Sequence, residues 1–434
     1  MTRITETPPQ RDRPFTWFRE LGSRGRRAFG GAFGGWGLDS YDFQVLPLGL
    51  VAITAYFGIS DGQAGLLTTV TLVMSALGGM LAGVLADRIG RTRTLIITVM
   101  MYAVFTVACG FAPNYETLLV LRALQGVGFG GEWATGAILV AEYASARHRG
   151  RTLGYIQSAW AVGWGLAVLA YTLIFSIFDD DTAWRVLFWT GALPALLVLY
   201  LRRTVTDAPI AERQVRSSDR PPLRTIFGRD LLRITICTSL LGTGVQGGYY
   251  SLTAWLPTYL ETERELSVVG TGGYLFFLIT GAFLGYLTGG YVTDWLGRKK
   301  AFALFAVASA VLLAAYTQIP EGANSLVLVL GFPLGFCASG IFSGFGSYFA
   351  ELFPTPVRGT GQGFTYNLGR ALGAFFPTVI GFLSEVMGLG GAMLFGTVGY
   401  ALAVLALLGL PETRGLELTS TLGTAAKASQ ERSS

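Results

Sequence analysis

Long apolar stretches alternate with short polar connectors along this chain. Cutting at charge clusters, Pro and Gly leaves twelve of them: about 29–54, 63–86, 94–112, 117–144, 152–177, 184–201, 232–257, 270–294, 301–319, 324–350, 360–385 and 389–410. Each is near the roughly 20 residues that a helix needs to cross a bilayer. An even number of crossings puts both ends on one side. Of the 32 Lys and Arg, all but Arg122, Arg185, Arg264 and Arg370 fall in the tails or beside connectors that follow even-numbered stretches. The positive-inside rule makes that side cytoplasmic. The opposite connectors carry acids, as in FDDDTA (178–183) and ETERE (261–265). The first 28 residues are polar and basic with no apolar core, and read as a cytoplasmic tail rather than a signal peptide.

Composition narrows the function classes. Hydrophobic residues make up 51% of the chain and charged residues 14%, against about 25% charged in a soluble domain; mean hydropathy is +0.50. The three cysteines all lie in predicted spans, so no disulfide framework is expected. The single histidine, His148, sits in a connector, which leaves no metal cluster, no Ser/His/Asp set and no cofactor to expect, and argues against an enzyme. The net charge of +5 is scattered over separate connectors, so the partners expected are the lipid bilayer and small molecules rather than nucleic acid.

The polar segment 202–231 divides the spans six and six. The expected organisation is a tail at 1–28, a first half at 29–201, a linker at 202–231, a second half at 232–410 and a tail at 411–434, all-α, with both tails cytoplasmic. The halves repeat. GVLADRIGRTR (83–93) returns as GYVTDWLGRKK (290–300), an offset of 207, and AEYASARHRG (141–150) returns as AELFPTPVRG (350–359), an offset of 209. Parallel six-helix repeats are one known transporter design.

Gly83, Asp87, Arg88, Gly90 and Arg91 match the Gly-x-x-x-Asp-Arg-x-Gly-Arg pattern between spans two and three of the major facilitator superfamily, which the chain resembles over nearly its whole length. Thr92 stands where a basic residue is usual. The second copy keeps Asp294, Gly297, Arg298 and Lys299 but has Trp295 in place of the arginine. PETRG (411–415) also resembles that superfamily's tail. LDSYDF (38–43), RALQGVGFGGEWATGAILVAEY (122–143), WRVLFWTGALPALLVLYLRR (184–203) and FPTPVRGTGQGFTYNLGRALGAFFP (353–377) resemble its proton-coupled organic-acid importers, with Ser40 where Gly is usual between the two acids. The resemblance implies a twelve-helix alternating-access transporter in a bacterial plasma membrane. It also implies an inner-face latch built from Asp87, Arg88, Arg91, Glu142 and Arg149 in the first half and Asp294, Arg298, Glu351 and Arg358 in the second. GVGFGG (126–131) matches a dinucleotide motif in letters only; inside an apolar span it reads as small residues that let helices approach.

Asp39, Asp42, Arg122, Glu132 and Arg370 remain at membrane depth, where an ionisable residue costs about 2.5–3.5 kcal/mol on insertion scales. Asp39 and Asp42 are three residues apart on one helical face, and two carboxylates so placed are expected to titrate as a coupled proton site. Glu132, lower on its span, is a further proton-path candidate. At the 209 offset Arg122 corresponds to Gly331 and Arg370 to Ala161; charges that break the repeat are candidates for substrate rather than scaffold. Arg370, with Tyr366 and Asn367 at i−4 and i−3, suits a carboxylate. Arg122 is a second anion candidate, and the family resemblance also implies a coupling role for it. Gln246, Tyr249 and Tyr250 stand at the repeat positions of Asp39 and Asp42 and are the expected pocket wall. The function expected is proton-coupled uptake of an aromatic or other bulky organic anion by a monomer. A sugar or zwitterion importer and a proton antiporter are the alternatives.

Overall fold

The computed structural model describes residues 16–143, 149–195, 223–320 and 322–414, except for the side chains at 16, 17, 86, 87, 91, 92, 132–143, 149–151, 153 and 355. Among these residues every regular element is helical. A short helix α1 (Thr16–Glu20) leads into α2 (Gly22–Phe57), α3 (Asp61–Ile89), α4 (Arg91–Cys109), α5 (Tyr115–Tyr143), α6 (Arg149–Phe175) and α7 (Asp180–Trp189). The second half holds α8 (Arg229–Thr262), α9 (Val268–Leu296), α10 (Arg298–Thr317), α11 (Asn324–Gly340), α12 (Phe345–Leu352), α13 (Arg358–Gly373), α14 (Phe375–Met387), α15 (Leu389–Met393) and α16 (Phe395–Leu408).

Seven of these spans are long and apolar enough to cross a membrane on length and hydropathy alone. The other stretches fall short for identifiable reasons. The α2 stretch carries Asp39, Asp42 and Gln44, and α8 carries Gln246 among many Thr and Gly. The apolar part of α4 is short (Arg93–Cys109), and the stretches at 117–144 and 184–201 run into residues outside the described set. Most helices begin a few residues before the expected spans, and α2 begins earliest, at Gly22 rather than 29, because its basic end continues the helix beyond the apolar segment. The linker expected at 202–231 lies mostly outside the described residues.

Four of the described spans are interrupted, the sixth by a 3-10 turn at Thr190–Ala192 after α7. The tenth passes through a tight 3-10 turn at Ile341–Gly344 between α11 and α12. The eleventh breaks at Ala374, since Pro377 has no N–H to offer the Gly373 carbonyl. The twelfth breaks at Leu394.

The repeat extends from sequence to packing. A Cβ on Gly78 would collide with the Val127 carbonyl, and one on Gly285 with that of Phe336. Gly126 is as close to the Thr71 carbonyl as Gly335 is to that of Leu278. Each second pair is the first carried forward by 207 and 209 residues. The GVGFGG run therefore holds α5 against α3 and α4, the close-packing reading of its glycines. The two signature turns repeat as well: Gly90 (φ 95) and Gly297 (φ 90) adopt a backbone that favours glycine and start α4 and α10.

At one face the halves are tied together. Thr69 Oγ1 donates to the Ala374 carbonyl at 2.5 Å and lies 2.7 Å from Thr378 Oγ1, and Ser384 donates to Asp61 at 2.8 Å. Tyr171 donates to Glu261 at 2.5 Å. The charge asymmetry of the sequence leads to the expectation that this face is the outer one.

Candidate functional site

In the first half, α2 carries Asp39 through Asp42 into the protein, with both carboxylates fully buried. Asp42 is held by the neighbouring helices: Thr106 of α4 donates to Oδ1 and Gln125 of α5 donates to Oδ2. Arg122, one turn before Gln125, is fully buried, lies within electrostatic reach of Asp42 and sits 5.9 Å from the Phe188 ring centroid. Among the described residues its Nε and Nη1 have no hydrogen-bond partner. Gly191 completes the enclosure, for a Cβ there would collide with Thr106 and lie 3.6 Å from Asp42 Oδ1.

Thr106 gives this pocket two self-consistent hydrogen-bond patterns. Its hydroxyl has one proton and two possible acceptors, Asp42 and the Tyr102 carbonyl 2.9 Å away. With Asp42 ionised, Thr106 donates to it. With Asp42 protonated, the acid can donate to Thr106, which then turns its own proton to Tyr102. Thr106 and Asp42 thus stay hydrogen-bonded to each other in either protonation state of the acid.

A second cluster lies between the halves. Arg370, on the last turn of α13 before the Pro377 break, is 3% exposed. Its Nη2 donates to Tyr366 Oη at 3.2 Å, and its guanidinium carbon lies 5.1 Å from the Tyr366 ring centroid and 5.7 Å from that of Phe129. Its buried Nε has no hydrogen-bond partner among the described residues. The cavity it lines is walled by Trp36, Phe43, Phe129 and Trp160 from the first half and by Tyr249, Tyr250, Tyr286 and Phe342 from the second. Trp36 and Trp160 lie 4.8 Å apart, Phe43 stacks on Phe129 at 5.9 Å, and Phe43 reaches Tyr250 across the interface at 6.0 Å. Trp160 donates to Tyr249 Oη at 3.0 Å; Tyr250 donates to Gln246 at 3.2 Å, and Gln246 donates to the Tyr366 carbonyl at 3.1 Å. The cavity is contracted to about 20 Å³, room for about one water molecule.

The expected site residues thus separate into two groups. Tyr249, Tyr250, Tyr366 and Arg370 line one cavity, with Gln246 bonded behind them. Asp39 lies within electrostatic reach of Arg370. Asp42 and Arg122 form the other group, inside the first half, so the oxygens of Asp42 are taken up by Thr106 and Gln125 rather than paired with Asp39. Asn367 turns away from the cavity: its amide donates to the Gly363 carbonyl at 2.9 Å, and its oxygen lies against Gly79. The side chain of Glu132 falls outside the described residues.

Among the latch residues, Asp87, Arg91, Glu142 and Arg149 also have side chains outside the described set, and Arg88 is exposed. The second-half members meet. Arg298 grips Glu351 with both Nε (3.1 Å) and Nη2 (2.9 Å), and Asp294 with Nη1 at 2.6 Å. Arg358 donates to the Ala350 carbonyl at 2.8 Å. Two residues of PETRG join the group without having been expected: Thr413 donates to Glu351 at 2.5 Å, and Glu412 accepts from the Arg298 and Lys299 backbone N–H groups at 2.8 and 3.0 Å. Glu412 thereby caps the N-terminus of α10, where a carboxylate is favoured. Sequence reasoning missed Gln125, which helical spacing puts one turn from Arg122 on the same face; nothing in the sequence marked Thr106 or Gly191.

A family model described as Major Facilitator Superfamily matches residues 32–378, and the chain belongs to that family. It is 40% identical over 406 residues to a protein of Cupriavidus pinatubonensis described as a probable 4-methylmuconolactone transporter, covering 93% of this chain and 94% of that one. It is 30% identical to the cis,cis-muconate transport protein of Acinetobacter baylyi, covering 86% and 92%. The crystal structure of a D-xylose-proton symporter superposes with a TM-score of 0.72 at 21% identity, covering 91% of this chain and all of that one, which shows the shared fold.

Proposed function

We propose that this member of the Major Facilitator Superfamily imports an organic carboxylate together with protons across a bacterial plasma membrane, with both termini cytoplasmic and the halves rocking about the central cavity. The observation that carries the reading is Arg370, a buried guanidinium with a free Nε in an aromatic cavity between the halves. A planar guanidinium takes a carboxylate through two parallel hydrogen bonds, and the rings around it suit an apolar, conjugated body. The names of the muconolactone and muconate relatives support the substrate class.

Asp42 is the proposed proton carrier, with Asp39 as the acid that senses the substrate at Arg370. An anion moving inward works against a negative interior at about 2.3 kcal/mol per charge per 100 mV, so a co-transported proton removes that opposition. Protonation of Asp42 changes the charge facing Arg122 inside the first half, and binding at Arg370 changes the charge facing Asp39. Both acids sit on one rigid helix, so the two events act on the same moving body. A neutral sugar would bring no charge to match this buried guanidinium, whereas a carboxylate does.

Purified protein in liposomes, with an imposed inward proton gradient and a panel of radiolabelled carboxylates, tests the reading. Accumulation of at least one carboxylate that collapses with a protonophore is the expected result. Accumulation of a neutral sugar with no carboxylate taken up would refute it.

A further inference from the structure

We infer that the site selects singly charged carboxylates and rejects dianions of the same shape. This rests on the proposed carboxylate site at Arg370. Among the described residues Arg370 is the one cation lining the cavity, and the other buried arginine of the membrane core, Arg122, is committed to the Asp42 pocket inside the first half. The remaining polar groups on the described cavity wall are neutral: the hydroxyls of Tyr249, Tyr250, Tyr286 and Tyr366, the indole N–H groups of Trp36 and Trp160, and the amide of Gln157.

Charge bookkeeping favours one anion. Arg370 already has Asp39 within electrostatic reach, so a single carboxylate is matched once that acid takes a proton. A second carboxylate on the same ligand would lie among aromatic rings with hydroxyls to donate to it and no charge to balance it. A buried charge left without its counter-charge weakens binding by roughly 30-fold or more. Neutral oxygens of a ligand meet no such penalty, because hydroxyls and amides can satisfy them. The ligand class is therefore one carboxylate, a planar apolar body and a neutral acceptor such as an ester or lactone carbonyl.

Ligands matched in shape and different in charge separate the possibilities. Binding to the purified wild-type protein is read by quenching of its tryptophan fluorescence, since Trp36 and Trp160 line the cavity, and by counterflow in liposomes. The probes are 4-methylbenzoate, monomethyl terephthalate and monomethyl cis,cis-muconate against terephthalate and cis,cis-muconate. The inference predicts that at least one monoanion binds and that its dianion partner binds at least about 30-fold more weakly. Dianions that bind as well as their monoesters overturn the inference while leaving the carboxylate site intact. Exclusion of the monoesters as well, with 4-methylbenzoate still bound, overturns it in favour of size. Failure of every carboxylate to bind removes the carboxylate site itself, and the inference with it.

Discussion

Replacing Arg370 separates a substrate ligand from a structural cation. If the guanidinium grips the carboxylate through two charge-assisted hydrogen bonds, each contributes about 1.5 kcal/mol at the low end of its range. Losing both in Arg370→Ala then weakens binding by about 3 kcal/mol, or about a hundredfold. Arg370→Lys keeps the charge beside the Tyr366 and Phe129 rings but loses the fork, so its affinity should fall by roughly tenfold, for the loss of about one of the two bonds. At the guanidinium tip the variant gives up the 3.2 Å bond to Tyr366 and the packing against the Tyr366 and Phe129 rings, neutral partners whose loss should lower thermal stability less than it lowers affinity. Calorimetric titration of folded, purified variants with a transported carboxylate gives both numbers. An Ala variant that binds like wild type but melts much earlier would assign Arg370 to the scaffold and move the anion site to Arg122.

The other elements give sharper expectations than their positions suggest. Thr106→Val removes the hydroxyl that serves both protonation states of Asp42 and should impair gradient-driven accumulation several-fold more than counterflow; equal loss of both would refute the switch. Tyr171→Phe and Glu261→Gln each weaken a tie between the halves at the expected outer face, and should raise labelling of cysteines placed in the outer cavity; unchanged labelling would leave that bond without a gating role. Arg298→Ala removes the grip on Glu351 and Asp294, and if these bonds form in only one state it should raise inner-cavity labelling while leaving substrate affinity within about twofold, a bound set by the residue's distance from the site.

Much of the scaffold could be read from the chain because it repeats. The 207 and 209 offsets that relate the signature motifs also relate the glycine contacts of Gly78 with Gly285 and of Gly126 with Gly335. Arg370 was legible because it breaks that repeat within a buried helix. Helical spacing alone could not separate Asp39 from Asp42. Three residues turn a side chain by about 60°, enough to send Asp42 toward α4 and α5 while Asp39 stays within reach of the other half. The orientation of Asn367 was not legible for a related reason: Gly79 leaves a space on α3 that only the folded interface reveals. Thr106 and Gly191 come from spans whose sequences carry no charge near those positions. Their role arises only when three helices converge.

Asp42→Asn separates proton coupling from transport, since protons are proposed to drive the anion by way of Asp42. Asparagine keeps the size and hydrogen-bonding capacity of the side chain and removes its titration. In liposomes with an imposed inward proton gradient, the variant should exchange labelled for unlabelled carboxylate across the membrane and yet fail to accumulate it above equilibrium. Accumulation at the wild-type level would contradict the account.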